Sequence, residues 1–572
     1  MKQTTFPRTA ATLLTVLLLA ACAEPAKDSV SGALTNDKVS KPVAAQPDAT
    51  PSEPEESAPA APIVAQEAEA PSRAMDMAKN ALSDTTLSYD YTVIQQQPEP
   101  GDERYGKIDD NPVKLVAEEP VSTFSIDVDT GSYANVRRML THGQLPPRDA
   151  VRVEEMINYF PYRYAQPRDG KPFAVHTALA PAPWNTDRVL LRVALKGEDL
   201  AKQTLPPANL VFLVDVSGSM YSRDKLPLLQ ASLKLLVKQL RAQDRISLVT
   251  YAGSTAVALS GTPGNEQKKI INAISRLRAG GNTAGAAGIE LAYQQAQENF
   301  IKGGINRILL ATDGDFNIGV TDFDQLKQMI EEKRKSGVSF TTLGFGTGNY
   351  NEHLMEQLAD AGNGAYSYID SLMEGKKVLV NEMTSTLATI AKDVKIQVEF
   401  NPAQVTEYRL IGYENRMLKR EDFNNDKVDA GDIGAGHTVT ALYELTLAGH
   451  KGALEPLRYQ TRKAASADTH GDEIAFVKLR YKKPDGDTST LAEYPVLPAE
   501  LKPIKEADDD FRLAAAVAGF GQLLRDRANL GSWRYENARA LAASVTGKDE
   551  YGYRAELVNL IELADTLSSN GK

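Results

Sequence analysis

The chain of 572 residues holds a single cysteine, Cys22. No intramolecular disulfide can form, and cysteine metal sites and thiol nucleophiles are excluded from the folded part. Histidine is also scarce: His142, His176, His353, His437, His450 and His470 are scattered, with no HExxH pair to seat a catalytic zinc. A Walker phosphate loop is missing, and "GFGTGN" at Gly344 lacks the third glycine of a dinucleotide fingerprint. Basic excess is absent as well. A formal net charge of −11 argues against a nucleic-acid surface. These gaps leave no visible bond-cleaving chemistry and point away from an enzyme.

What is present begins with an address. "MKQTTFPRTAATLLTVLLLAAC" places Lys2 and Arg8 before an apolar run of about a dozen residues, the length of a signal h-region and too short to span a bilayer. Residues 1–21 are therefore expected to be a signal peptide. "LAAC", Leu19 to Cys22, resembles the bacterial lipobox, which implies a lipid on the Cys22 sulfur and a new N-terminus there. The plainer alternative is a secretory signal with an incidental cysteine. Ala23 is not the aspartate that retains such lipoproteins in the inner membrane, so the resemblance implies an outer-membrane anchor in a Gram-negative cell envelope. Residues 22–87 then run through Ala, Pro, Glu and Ser with too few large apolar side chains to offset ordering entropy. They read as a disordered tether reaching on the order of 40 to 50 Å.

From 206 to 392 short apolar strands alternate with amphipathic helices. "NLVFLVDV", "RISLVTYAG", "TAVALSG", "NRILLATDG", "VSFTTLGFG" and "AYSYID" are strand candidates, most of them near-continuous apolar runs as central parallel strands require. In "DKLPLLQASLKLLVKQL", Leu226, Leu229, Leu233, Leu236, Val237 and Leu240 share one helical stripe. The alternation predicts an α/β fold, a doubly wound, mostly parallel sheet with its ligand site at the carboxyl ends of the strands.

Three of those ends carry oxygens: Asp215, Ser217 and Ser219 in "VFLVDVSGSM", Thr283 in the glycine-rich "AGGNTAG", and Asp313 in "LLATDGD". Two carboxylates and three hydroxyls are hard ligands suited to Mg²⁺ or Mn²⁺. The plainer account makes Asp215 a helix cap and the serines turn residues. "DVSGSM", a threonine in a Gly-rich turn and "TDG", in this order and on this strand pattern, closely resemble the metal-ion-dependent adhesion site of von Willebrand factor A domains. The resemblance implies that Ser217, Ser219 and, in some states, Thr283 hold the metal directly, while Asp215 and Asp313 act directly or through water. A partner protein's Asp or Glu would complete the octahedron. The expected function is then metal-mediated protein binding, in adhesion or envelope assembly, by a chain anchored to the membrane through Cys22.

A rival of another class sits upstream. "DVDT" in "FSIDVDTGSY" fits the nucleophile strand of haloacid-dehalogenase-type phosphatases, with Asp127 attacking phosphorus and Asp129 as acid or base. "DTGS" also mimics an aspartic-protease loop, yet no second D-T-G or D-S-G exists to supply the partner carboxylate. A turn that caps a helix is the simpler account. Residues 88–171 as a whole resemble the accessory region preceding the A domain in a group of bacterial lipoproteins.

The flanks alternate instead. "RVLLRVALKG" at Val189, Leu191, Val193 and Leu195, and "VKIQVEF" at Val394, Ile396, Val398 and Phe400, should each have one buried and one wet face. Residues 172–205 and 393–503 are thus expected to meet in one β-sandwich with the A domain inserted, a layout that integrin β chains resemble. Two linkers would then let a change at the metal tilt the sandwich. "EDFNNDKVDAGD", 421–432, has Asp422, Asn424 and Asp426 at calcium-loop spacing, but Lys427 replaces the required glycine and Ile433 the final glutamate, so a solvated acidic turn is favoured. Residues 504–572 read as two or three helices opening at "ADDDF".

Overall fold

Leu210, Phe212 and Val214 point to one side of the strand Ala208–Asp215, and Val211 and Leu213 to the other. Both sides are buried, which is why the sequence there is apolar without alternation. The computed structural model describes residues 103–168, 170–281, 285–314, 323–455 and 471–570. The signal peptide, the tether and Cys22 lie outside them, as does Thr283.

The central sheet has six strands in the order Tyr366–Ile369, Ser339–Phe345, Ile305–Thr312, Ala208–Asp215, Arg245–Tyr251, Thr255–Pro263. All pairs are parallel except the last, where Thr255–Pro263 turns back antiparallel at the edge. The helix Leu226–Val237 starts with a proline in its first turn and lays Leu229, Leu233 and Leu236 on one face. Gly285–Glu298 and Phe323–Lys333 cover the other face through Ile289, Ala292 and Ile330. From Ala208–Asp215 the chain goes first to Arg245–Tyr251 on one side and later to Ile305–Thr312 on the other, so Asp215 stands at the switch point of a doubly wound sheet.

The flanking segments form two antiparallel sheets around a shared core. One is ordered Lys114–Leu115, Val405–Ile411, Thr438–Leu447, Asn185–Gly197, Phe173–Ala182. The other runs Ile433–Gly434, Thr389–Phe400, Ala475–Lys482, Ser489–Val496, with Val121–Ser125 also paired to Thr389–Phe400. Leu191, Val193, Val439 and Tyr443 of the first meet Phe124, Ile396, Val398 and Val477 of the second. Two of these strands come from 88–171: the short strand before "DVDT" is legible in the sequence, but its pairing into the sandwich and the two-residue strand Lys114–Leu115 are not.

The strand Asn185–Gly197 departs from the expected wet face. Leu190 and Ala194, on its outer side, are fully buried, and Arg192 is paired with Asp508 at 2.7 Å. The cover is the helical layer built from Gly131–Thr141 and Val153–Asn158 together with the C-terminal helices Asp509–Arg525, Tyr535–Ala543 and Tyr553–Asn570. In "ADDDF" it is Asp508 that caps, its side chain accepting from the Phe511 N–H at 2.6 Å. Among the described residues no helix is long and apolar enough to cross a membrane.

Candidate metal centre

Where the central strand ends, the chain turns sharply. Asp215 Oδ1 accepts the Ser217 N–H at 2.8 Å, an Asx turn that reverses the backbone over the sheet edge. Its Oδ2 accepts the Thr312 hydroxyl at 2.9 Å and the Tyr251 hydroxyl at 3.3 Å, each from the last residue of a flanking strand. Burial pushes the Asp215 carboxyl up to about 6, against the lowering effect of its bonds from Ser217 and Thr312. The Ser217 hydroxyl also bonds this carboxylate, so its donors match the roughly four lone-pair directions a carboxylate has.

Ser217 precedes the short turn Gly218–Tyr221, but its side chain caps nothing. Its Oγ instead lies 3.0 Å from Ser219 Oγ. Part of the plain account therefore holds, since Asp215 does shape the turn, while the two serine hydroxyls face each other. Backbone bonds from Gly280 N–H to Val216 O (2.8 Å) and from Gly218 N–H to Gly281 O (2.9 Å) staple this turn to the glycine-rich loop just before position 283.

Asp313 leaves the neighbouring strand fully buried, and its Oδ2 accepts from Lys225 Nζ at 2.9 Å. The same ammonium donates to Asn349 Oδ1 at 3.2 Å. Lys225 was not picked out from the sequence, where "RDKLP" looks like an ordinary helix entry; the pairing spans 88 residues and leaves no local trace. Asp215, Ser217, Ser219 and Asp313 thus fall on one sheet end. Among the described residues, no group of three or more His, Cys, Asp or Glu could hold a metal. Any metal here would rely on hydroxyls beside the two carboxylates.

The phosphatase rival fails on its surroundings. Val121–Ser125 is an antiparallel sandwich strand rather than a parallel strand opening onto a cleft. Asp127 and Asp129 are each 3 % exposed. Arg416 sits between them, 3.3 Å from Asp127 and 3.0 Å from Asp129, and Asp129 Oδ1 takes the Tyr366 N–H at 2.7 Å. No phosphate ester can reach either carboxylate. "DVDTG" is instead a joint: Gly131 lies so close to Tyr366 of the central sheet that a Cβ would stand 2.3 Å from its ring. The 421–432 loop is equally occupied. Asp426 accepts from Arg480 (3.1 Å) and Ser489 (2.6 Å), which hold its carboxyl down to about 2, and Asp422 takes the Lys419 N–H at 3.1 Å.

Comparison with known proteins agrees with this architecture. The family model for the von Willebrand factor type A domain matches residues 209–381. A second, described as von Willebrand factor, matches 99–192, and a third, described as Uncharacterized protein YfbK, C-terminal, matches 385–567. The chain is 53% identical over 473 residues to Uncharacterized protein YfbK of Escherichia coli strain K12, covering 82% of each. It is 27% identical over 282 residues to inter-alpha-trypsin inhibitor heavy chain H3 of Bos taurus, covering 45% of this chain and 31% of that one. Among solved structures, a von Willebrand factor type A protein from Catenulispora acidiphila aligns with a TM-score of 0.38 at 18% identity, over 70% of this chain and 92% of its own. A domain of this type is a protein-interaction module. The chain belongs to the YfbK family of von Willebrand factor type A domain proteins.

Proposed function

We propose that the chain is a lipid-anchored envelope protein that binds a partner protein through a divalent metal, Mg²⁺ or Mn²⁺, at the end of its central sheet. The observation that carries this reading is the pair of serine hydroxyls 3.0 Å apart, uncommitted to capping, just past buried Asp215, with buried Asp313 following the adjacent parallel strand. These donors fit a hard cation: all are oxygens, and a hydroxyl can turn a lone pair toward it. The protein itself sets a cation, the Lys225 ammonium, against Asp313. Ser217 and Ser219 would hold the ion directly, Asp215 and Asp313 directly or through water, and Thr283 would complete the set. A bound ion of this kind supplies an electrophilic seat for an Asp or Glu carboxylate. The chain's own residues supply the rest: the Asx turn positions Ser217, and the staple holds Gly280 and Gly281 against this turn.

Cys22 and residues 22–87 would hold this module at the outer membrane on a tether of about 40 to 50 Å. No nucleic acid is expected as a partner, given the net charge of −11. The test is affinity capture from solubilised envelopes with the full-length protein as bait, in Mg²⁺ and in EDTA. A partner retained in Mg²⁺, released by EDTA and lost in Ser217→Ala supports the reading. Capture indifferent to EDTA and to Ser217→Ala contradicts it.

A further inference from the structure

Lys225 is an unusual neighbour for a metal site, because it brings a positive charge to one of the two carboxylates on offer. Only 6 % of it is exposed. Its ammonium donates to Asp313 at 2.9 Å and to Asn349 at 3.2 Å. Packing, and not attraction alone, keeps it there. The stem lies across Gly346, whose φ of +78° and missing side chain make the room: a Cβ at that position would stand 2.2 Å from Lys225 Cε and 2.3 Å from its Cγ. This gives "GFGTGN" a purpose that nucleotide binding does not. Gly346 is the trough along which the lysine passes to Asp313, and Asn349 closes its far side.

We propose that Lys225 is a resident counter-cation that lowers the site's affinity for metal and raises the loaded site's affinity for a partner carboxylate. The inference rests on the metal-binding reading of the same site. The charge count carries it. Among the described residues at this strand end, Asp215 and Asp313 set against Lys225 leave a single net negative charge, where the two aspartates alone would present two. A divalent ion therefore meets a weaker field than an uncompensated pair of carboxylates would give. Once that ion is bound, the same lysine leaves the site with a net positive charge instead of a neutral one. The site then attracts an anion that a neutral site would not draw, and low local dielectric strengthens the effect. Lys225 acts through Asp313 and the field, so it is a positioning and tuning residue with no contact to the partner required. Metal occupancy would then follow the free Mg²⁺ or Mn²⁺ concentration outside the cell, and partner capture would follow occupancy.

The test uses full-length protein and two probes, Mn²⁺ and acetate. Mn²⁺ binding is measured by calorimetry for wild type, Lys225→Met and Lys225→Gln. Acetate is then titrated into each Mn²⁺-loaded protein, reading loss of metal-bound water by proton relaxation. Both variants are expected to bind Mn²⁺ about tenfold or more tightly and acetate several-fold more weakly. A merely structural role would weaken both together, and melting in EDTA identifies a variant that has not folded, in which case the other decides. Equal Mn²⁺ affinities in wild type and variants would overturn the inference while leaving the metal reading intact. Absence of Mn²⁺ binding in all three would overturn both. Binding in the variants alone would contradict a metal-loaded wild-type site and, with it, the partner affinity that the inference assigns to that site.

Discussion

Glu154 has no hydrogen-bond partner for either carboxylate oxygen, although it is only 1 % exposed. Burial, with Glu414 and Asp127 nearby, pushes its carboxyl up to about 7. The folded state therefore keeps a proton that the unfolded chain releases near its ordinary value, and stability contributed by this group falls as pH rises from about 4.5 to about 7. The expected size is on the order of 3 kcal/mol. Glu154→Gln should flatten that part of the pH dependence of the melting temperature between pH 5 and pH 8; an unchanged slope would show that Glu154 does not titrate there. Asp215 is pushed up less far, to about 6, because hydrogen bonds from Ser217 and Thr312 oppose the same desolvation. The acidic strand end at Asp215 was legible as a candidate site, since three such ends carrying oxygens sit on one predicted sheet. Lys225 was not readable: its partner lies 88 residues away, and no local pattern marks the pairing.

At the scale of elements, the helix Glu352–Ala361 is clamped to segments outside the central sheet. Arg152 reaches Glu352 at 2.7 Å and Glu356 at 2.9 Å, and Arg416 reaches Asp360 at 2.7 Å while holding Asp127 and Asp129. These pairs, buried except at Asp360, join the sheet to its flanks at more than the two linkers that the insertion alone would supply. Arg152→Ala leaves three carboxylates, Glu155 among them, without their shared cation and should cost about 3 to 5 kcal/mol in denaturant unfolding. A loss below about 1 kcal/mol would mean that the clamp is slack. On the sheet's opposite cover, Leu233→Ala in Leu226–Val237 should cost about 2 to 5 kcal/mol, because the side chain is 1 % exposed in a packed layer. Gly131→Ala should cost about 1 to 3 kcal/mol through overpacking on Tyr366, and Gly131→Ala combined with Tyr366→Leu should recover part of it. The strands and helices of the central sheet were legible from period and length. The turn at "DVDTG" left a phosphatase alternative open because a buried aspartate pair looks the same in sequence whether it faces a substrate or an arginine 287 residues away.

For the whole molecule, the two antiparallel sheets take strands from three stretches of sequence, before, between and after segments that belong to other layers. Alternation revealed which strands have an inner face. It could not reveal that the C-terminal helices would cover the outer face of Asn185–Gly197, since that depends on where a helix more than 300 residues later comes to rest. The anchoring proposal belongs to this scale too. Cys22→Ser is expected to move the protein from the membrane fraction to the soluble fraction of lysed cells while leaving its melting temperature unchanged, and retention in the membrane fraction would contradict a lipid anchor at that residue.

The central claim is that the oxygens closing "VFLVDVSGSM" hold a divalent ion. Its most direct test is calorimetric titration of Mg²⁺ and Mn²⁺ into the full-length protein beside a Ser217→Ala, Ser219→Ala double variant. Saturable one-to-one binding in the wild type that disappears in the variant is the predicted result. Equal binding in both, or none in the wild type, would contradict the metal site and the partner recognition built on it.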